Sequence, residues 1–313
     1  MTRVRVLLTG ARGFVGRQLS VTLRQYGHEV IAGEGNARFD VTDLNAVRSV
    51  VGAVTPEAII HLAAVSSVGS SWKQPELTLH TNIHGTLNIL QAVRELVPGC
   101  RIISVGSAEE YGRGVMADPV EYSHRGVRET CPCEPVNPYG ISKLAAGELV
   151  LMAARSWRLD AVHVRAFNHI GPGQPSGYVV PDFCRQLAVA EANNQSAVLR
   201  VGDVSVIRDF LDVKDVASAY AALLTVGQAG TVFNVASGKG RALHEVLAVL
   251  QDIARVPLSW ETDPELMRPA DVPVLIGDSE RLKQCTGWQP VIPLHQSIAD
   301  VLAFWRANVL PPN

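Results

Sequence analysis

The chain predicts an α/β fold, a doubly wound parallel sheet with a smaller lobe interleaved among its last elements, and three observations carry that reading. Through the first half, short β-branched runs alternate with helical patterns, as parallel strands joined by covering helices require. A glycine cluster, Gly10, Gly13 and Gly16, falls directly between the first strand-like run and the first helical one. Beyond about residue 168 the alternation loosens into short apolar runs around Gly171-Pro172-Gly173. The division that follows assigns 1–167 plus 209–236 to a doubly wound domain and 168–208 plus 237–313 to a substrate-binding lobe.

Each element has a local reason. Residues 4–8 are apolar and β-branched, so they form the first strand; 14–25 carry apolar residues at helical spacing and form the first helix. The second strand is 29–32, after which Thr42 or Asp43 caps a short helix. The third strand is 58–62, followed by one long helix from about 76 to 96 and a fourth strand at 102–105. A loop rich in Pro and Gly leads to a helix bearing Tyr139, then to a strand at 161–165. There are no repeats and no low-complexity tracts.

Composition bounds what such a fold does. Hydrophobic residues make up 47% and charged residues 19%, which excludes disorder and fits a globular enzyme. The formal net charge of −2 offers no electrostatic attraction for nucleic acid or an anionic membrane. No apolar run approaches the ~20 residues that span a bilayer, and the first strand begins too early for a signal peptide, so the expected location is cytoplasmic. Cys100, Cys131, Cys133, Cys184 and Cys285 are scattered without metal-finger spacing or a paired His cluster, so reduced thiols and no metal site are expected.

The chemistry concentrates in a few segments. Gly10, Gly13 and Gly16, with Arg12, Phe14 and Val15 between and beside them, lie at a strand-to-helix junction. There the backbone can approach a pyrophosphate and a helix N-terminus supplies amide donors. Glu34, beyond the second strand, is placed to hold the adenosine ribose hydroxyls, whereas Arg12 is suited to a 2′-phosphate; the choice between NAD and NADP stays open. Asp40, beside Val41, either accepts from the adenine amino group or caps a turn. Leu62, Ala63 and Ala64 follow His61 at the carboxyl end of the third strand, where small residues let the backbone pass close to a cofactor. Tyr139 and Lys143 are four apart on one helix, so the ammonium is expected beside the phenol and should lower its pKa, making a general acid/base.

Taken together, these residues resemble the extended short-chain dehydrogenase/reductase family, with its Rossmann-type sheet, over essentially the whole chain. The resemblance implies that Ser107, in Val105-Gly106-Ser107-Ala108-Glu109-Glu110-Tyr111-Gly112, completes a catalytic group with Tyr139 and Lys143. It implies that Asn82 supports the lysine through water and that Arg165 borders the cofactor site. A narrower similarity, to the nucleotide-sugar branch acting on GDP-linked sugars, rests on three segments. These are the run from Arg165 through Asn168 and His169 to Gln174, Arg208-Asp209-Phe210-Leu211-Asp212-Val213, and Arg268-Pro269-Ala270-Asp271 with Thr286-Gly287-Trp288. It implies that Asn168, Arg208 and Arg268 face a diphosphate, that His169 lies near the sugar, and that the substrate is a GDP-linked 4-keto-6-deoxyhexose reduced by NAD(P)H. A homodimer through the helices at 76–96 and 139–154 is implied as well.

Rival readings attach to single residues. Glu109 stands where the 4,6-dehydratases of the branch carry an acid/base carboxylate, although the glycine loop lacks their acidic residue near its end. A 4-epimerase would need the same three catalytic groups. A redox-sensing binding protein that had lost catalysis would be expected to lack Tyr139 or Lys143, and both are present.

Overall fold

The computed structural model describes residues 3–32, 39–267 and 272–309. The strands are β1 (Arg5–Thr9), β2 (Glu29–Ile31), β3 (Ala58–His61), β4 (Arg101–Val105), β5 (Ala161–Ala166), β6 (Asn168–Ile170), β7 (Ala197–Val201), β8 (Ile207–Asp212), β9 (Val232–Val235), β10 (Gly240–Ala242), β11 (Leu258–Thr262) and β12 (Val274–Leu275). The helices are α1 (Phe14–Gln25), α2 (Leu44–Val54), α3 (Val68–Lys73), α4 (Pro75–Leu79), α5 (Gly85–Leu96), α6 (Pro119–Arg125), α7 (Pro138–Ser156), α8 (Val179–Ala192), α9 (Val213–Ala222), α10 (Leu243–Ile253), α11 (Glu280–Thr286) and α12 (Leu294–Asn308).

Six parallel strands run in the order β2-β1-β3-β4-β5-β9. The inner strands are mostly apolar because both faces are covered. On one side Val6, Leu8 and Ile60 pack with Leu19 and Leu23 of α1 and Val216 and Tyr220 of α9. On the other, Leu7, Ile59 and Ile102 meet Val47 of α2, Ile89 of α5 and Val150 of α7. The strand order reverses between β1 and β3, and ligands of doubly wound sheets collect at the carboxyl ends beside that point.

The second lobe has its own core. Val180, Phe183 and Leu187 of α8, Val246 and Leu250 of α10 and Ile298 and Val301 of α12 enclose it. Around it lie a sheet in which β8 pairs with β6, β10 and β12, and a separate β7–β11 pair. The chain passes repeatedly between the two. After β6–β8 it returns to the first lobe for α9 and β9, and after β12 Leu282 and Trp288 again join the first core. The expected segment 237–313 therefore contributes to both cores.

The expected helix from 76 to 96 starts at Pro75 and contains a π-turn over His80–His84 between α4 and α5. An extra residue in one turn leaves no mark in apolar periodicity, and such turns recur at functional sites; this one carries Asn82. Asp43, not Thr42, caps α2, accepting from the amides of Asn45 and Ala46. None of the five cysteines forms a disulfide.

Candidate active site

Ser107, Tyr139 and Lys143 come together at the carboxyl end of β4. Ser107 follows that strand, is buried, and hydrogen-bonds the Tyr139 phenol. Lys143 is also buried; its Nζ donates to the Val105 carbonyl at 2.7 Å and lies 5.9 Å from the centre of the Tyr139 ring. One expectation needs correcting. Tyr139 has its pKa raised, chiefly by burial, which outweighs the hydrogen bond from Ser107 that favours the phenolate, while the carboxylates of Glu109 and Glu110 push further upward. Burial also lowers Lys143 to about 8, partly countered by Glu110. In the protein alone, exclusion of water dominates the pair, and Tyr139 is a phenol that holds its proton at neutral pH.

Three neighbours fix this group. Asn137 caps α7 by accepting from the Gly140 amide at 2.8 Å, and its Nδ2 donates to Glu109 Oε2 at 2.8 Å, so the carboxylate is tethered to the catalytic helix. Asn82 receives the Val65 amide at 2.8 Å and donates to Ser142 Oγ at 2.8 Å, and Ser142 Oγ donates in turn to the Tyr139 carbonyl. Asn82 thus clamps the loop after β3 directly to α7. Glu110, fully buried, accepts from the Ser107 amide at 2.9 Å, from His163 Nε2 at 3.0 Å and from Arg165 Nε at 2.8 Å. Burial drives its pKa up, but His163 and Arg165 together hold it below the usual value.

The cofactor side fits a dinucleotide. Gly10 has φ +68°, and a Cβ there would lie 2.8 Å from the Ala63 nitrogen; a Cβ on Gly16 would lie 2.3 Å from the Gly10 carbonyl. The glycines thus let β1, the following turn and the loop after β3 close tightly on one another. Gly13 caps α1 with no side-chain hydrogen bond, and the first turn holds no acidic residue, so its amides and positive dipole end suit a pyrophosphate. A cavity of about 500 Å³ lined by Phe39, Asp40, Val41 and Ala63 is large enough for an adenosine. Asp40 accepts from the Thr42 amide and hydroxyl, which hold its pKa down, so it both caps a turn and lines the cavity as a carboxylate. Arg12 is exposed and Phe14 and Val15 half-buried at the start of α1. Ala64 is half-buried in the loop after β3.

Other expected residues are placed as follows. Arg165 is buried between Glu110 and the Tyr111 ring, 4.7 Å from the ring centre, and also donates to the Glu129 carbonyl. Its guanidinium serves the support beneath Ser107. Asn168 is exposed at the start of β6, and its neighbour His169 stacks parallel to Phe14 at 6.1 Å. His169 Nδ1 hydrogen-bonds the Phe167 carbonyl, and burial lowers its pKa, so the ring is neutral. Arg208 lies on β8, the strand paired with β6, and donates to the Ile207 carbonyl at 3.0 Å. Glu34 and Arg268 lie outside the described residues.

Across residues 6–236 the chain matches the model of the NAD dependent epimerase/dehydratase family. The chain belongs to that family. It is 36% identical to the GDP-6-deoxy-D-mannose reductase of Pseudomonas aeruginosa, over 97% of this chain and 98% of that protein. The structure of RMD from the same organism, complexed with NADPH, superimposes with a TM-score of 0.88 at 35% identity, covering 98% of this chain and 100% of that one. The Thermus thermophilus UDP-glucose 4-epimerase in complex with NAD follows the same fold, with a TM-score of 0.81, 26% identity and coverage of 97% and 100%. As a family member, the chain is an NAD(P)-dependent oxidoreductase acting on a nucleotide sugar, as the glycine loop and the Ser107–Tyr139–Lys143 group led one to expect.

Within this epimerase/dehydratase site, sequence reasoning overlooked several residues. Thr9 Oγ1 receives the amides of Leu62 and Ala63, both at 3.1 Å, and lies 2.8 Å from His61 Nδ1. With both lone pairs engaged, its proton goes to Nδ1. His61 is neutral, lowered to about 3 by burial and then by the Lys143 charge. The position of Thr9, immediately before the first glycine, was an available signal. The roles of Glu110 and Asn137 had a local signature too: a Ser-x-x-Glu capping box and an Asn-Pro helix start. Tyr178 had none.

Proposed function

We propose that this chain reduces the C4 ketone of GDP-4-dehydro-6-deoxy-D-mannose, forming GDP-D-rhamnose. The observation that carries the reading is Tyr139 itself: a half-buried phenol that keeps its proton, hydrogen-bonded to the buried Ser107 at the sheet edge beside a dinucleotide groove. A proton donor is what a reductase needs. The full-length similarity to a reductase of a GDP-linked 6-deoxyhexose supports the substrate class.

When bound, NADPH or NADH supplies the hydride to the ketone carbon. Ser107 hydrogen-bonds the ketone oxygen, drawing charge onto it, and Tyr139 delivers its proton to that oxygen as the alkoxide forms. Lys143, tied to the Val105 carbonyl, provides the neighbouring positive charge that stabilises the tyrosinate left behind. The α1 amides and Arg12 hold the cofactor's phosphates, and Asn168, Arg208 and Arg268 the substrate's diphosphate. The exposed Arg12 favours the additional phosphate of NADPH. Exposed Leu77 on α4 and Ile141 on α7 supply apolar area for a homodimer, and a solution mass of one chain would refute that part. Among the described residues no helix is long and apolar enough to cross a membrane, which suits the cytoplasmic location we assign.

A second reading, dehydration of GDP-mannose, is favoured by one feature, the Glu109 carboxylate beside Tyr139. The tether from Asn137 to Glu109 weighs against it, since a mobile acid/base carboxylate is then held to the helix cap. Incubation with the 4-keto sugar and either reduced cofactor, with NMR on the product, tests both. Oxidation of NADPH with formation of GDP-D-rhamnose is expected. Turnover of GDP-mannose without oxidation of reduced cofactor would overturn the reductase.

A further inference from the structure

A second phenol stands at the mouth of the same cleft. Tyr178 is the N-cap residue of α8, and its hydroxyl lies 2.9 Å from Ser66 Oγ. Ser66 belongs to the loop that leaves β3 through His61, Leu62 and Ala63, the loop that Thr9 and Asn82 hold in place. The contact therefore reaches from the second lobe to the first, across the sheet edge where Ser107 and Tyr139 meet. Tyr178 is firmly mounted: Gly177, at φ +96°, donates its amide to both carboxylate oxygens of Asp182, each at 3.1 Å. Behind it, Val180, Phe183 and Cys184 of the same helix are buried in the second core. The Tyr178 side chain is also near enough to Tyr139 to push the pKa of that phenol upward.

The chemistry of the pair points at a neutral polyol. A phenol and an alcohol each donate one hydrogen bond and accept others, as sugar hydroxyls do, whereas a diphosphate calls for cations and amides. Ser66 is exposed, so its bond to Tyr178 is one that water already contests and a ligand hydroxyl can replace with little loss. We propose that Tyr178 is a specificity-determining residue whose hydroxyl exchanges Ser66 for a ring hydroxyl of the hexose beside the reacting carbon. This rests on the GDP-sugar reading above and deepens it: the nucleotide anchors the ligand, and Tyr178 reads the sugar. A contact that served only to clasp the lobes would alter stability and not distinguish one ligand from another.

Calorimetric titration of the full chain, saturated with NADP⁺, separates these cases with GDP and GDP-mannose as probes. In Tyr178→Phe the affinity for GDP should stay within about 2-fold while that for GDP-mannose falls about 5–10-fold, the worth of one hydrogen bond. In turnover, the same variant should raise KM for the 4-keto sugar and leave KM for NADPH unchanged. Ser66→Ala frees the phenol and should bind GDP-mannose as well as or better than the wild type. Equal losses for GDP and GDP-mannose, or no loss for either, overturn the role of Tyr178. A wild type that binds neither probe overturns the GDP-sugar reading as well, and is distinguishable for that reason.

Discussion

Glu109 and Glu110 are adjacent carboxylates with different work, and replacing each by Gln separates them. Glu110 is fully buried and accepts from Ser107 N, His163 Nε2 and Arg165 Nε. A Gln side chain keeps one acceptor oxygen. Whichever way it is turned, its NH₂ faces at least one of these donors, and the Arg165 cation loses its counter-charge. Breaking one side of a buried ion pair costs about 3–5 kcal/mol, against a total stability of about 5–15 kcal/mol. We expect about 3 kcal/mol for Glu110→Gln, since some hydrogen bonding survives. Urea unfolding, with the slope unchanged, measures it. Because the Ser107 amide is among the donors, kcat/KM should fall about 10–100-fold in the same variant. Glu109 is half-buried and its amide replacement can still accept from Asn137, so Glu109→Gln should stay within about 1 kcal/mol. The acid limb gives an independent reading. The folded pKa of Glu110 lies below its ordinary 4.5, so its stabilisation is present above that value and disappears as pH falls through the lower folded one. The wild type should therefore lose stability in acid more steeply than Glu110→Gln. A Glu110→Gln protein within about 0.5 kcal/mol of wild type and with full activity would refute the reasoning.

Lys143, lowered to about 8, should lose its charge as pH rises through that value, and kcat/KM should decline there. Stability should move oppositely: the unfolded chain holds this proton more tightly than the folded one, so unfolding free energy rises with pH from about 8 toward the ordinary 10.5. Tyr139→Phe should bind NADPH within about 2-fold of wild type by fluorescence titration, while turnover drops by a factor of about 10²–10⁴; near-normal turnover would remove Tyr139 from its role. Tyr220 is fully buried, and its hydroxyl has no hydrogen-bond partner among the described residues, so Tyr220→Phe should leave the thermal midpoint unchanged or raise it.

Much of the doubly wound half was legible because its signals are local. Helix α1 spans the expected 14–25, and strands β1 to β5 each fall within a residue or so of expectation, since short runs rich in β-branched and apolar residues mark strands locally. Gly10 and Gly16 were readable because only glycine tolerates their backbone contacts. What stayed hidden depends on partners distant in sequence. Arg165 was expected near the cofactor, and nothing local reveals that Glu110, 55 positions earlier, would claim it. The direction of the Tyr139 pKa shift was misjudged for a related reason. Spacing on a helix shows that an ammonium and a phenol are neighbours but carries no account of the water that neighbouring elements exclude. Tyr178 and Ser66 meet across 112 positions, and no periodicity records such a meeting.

The interleaving of the two lobes bears on how the protein is made. The second core closes only when α12 lies against α8, burying Ile298, Val301 and Leu302. A ribosome synthesises α8 more than a hundred positions earlier, so throughout that interval Phe183 and Leu187 lack their covering helix. The nascent chain therefore carries an open apolar face through that interval, and a premature stop ahead of α12 would leave that face uncovered for the quality-control machinery to bind. Exchange of one lobe for a relative's by a single splice is ruled out for the same reason, because no one cut divides the two cores.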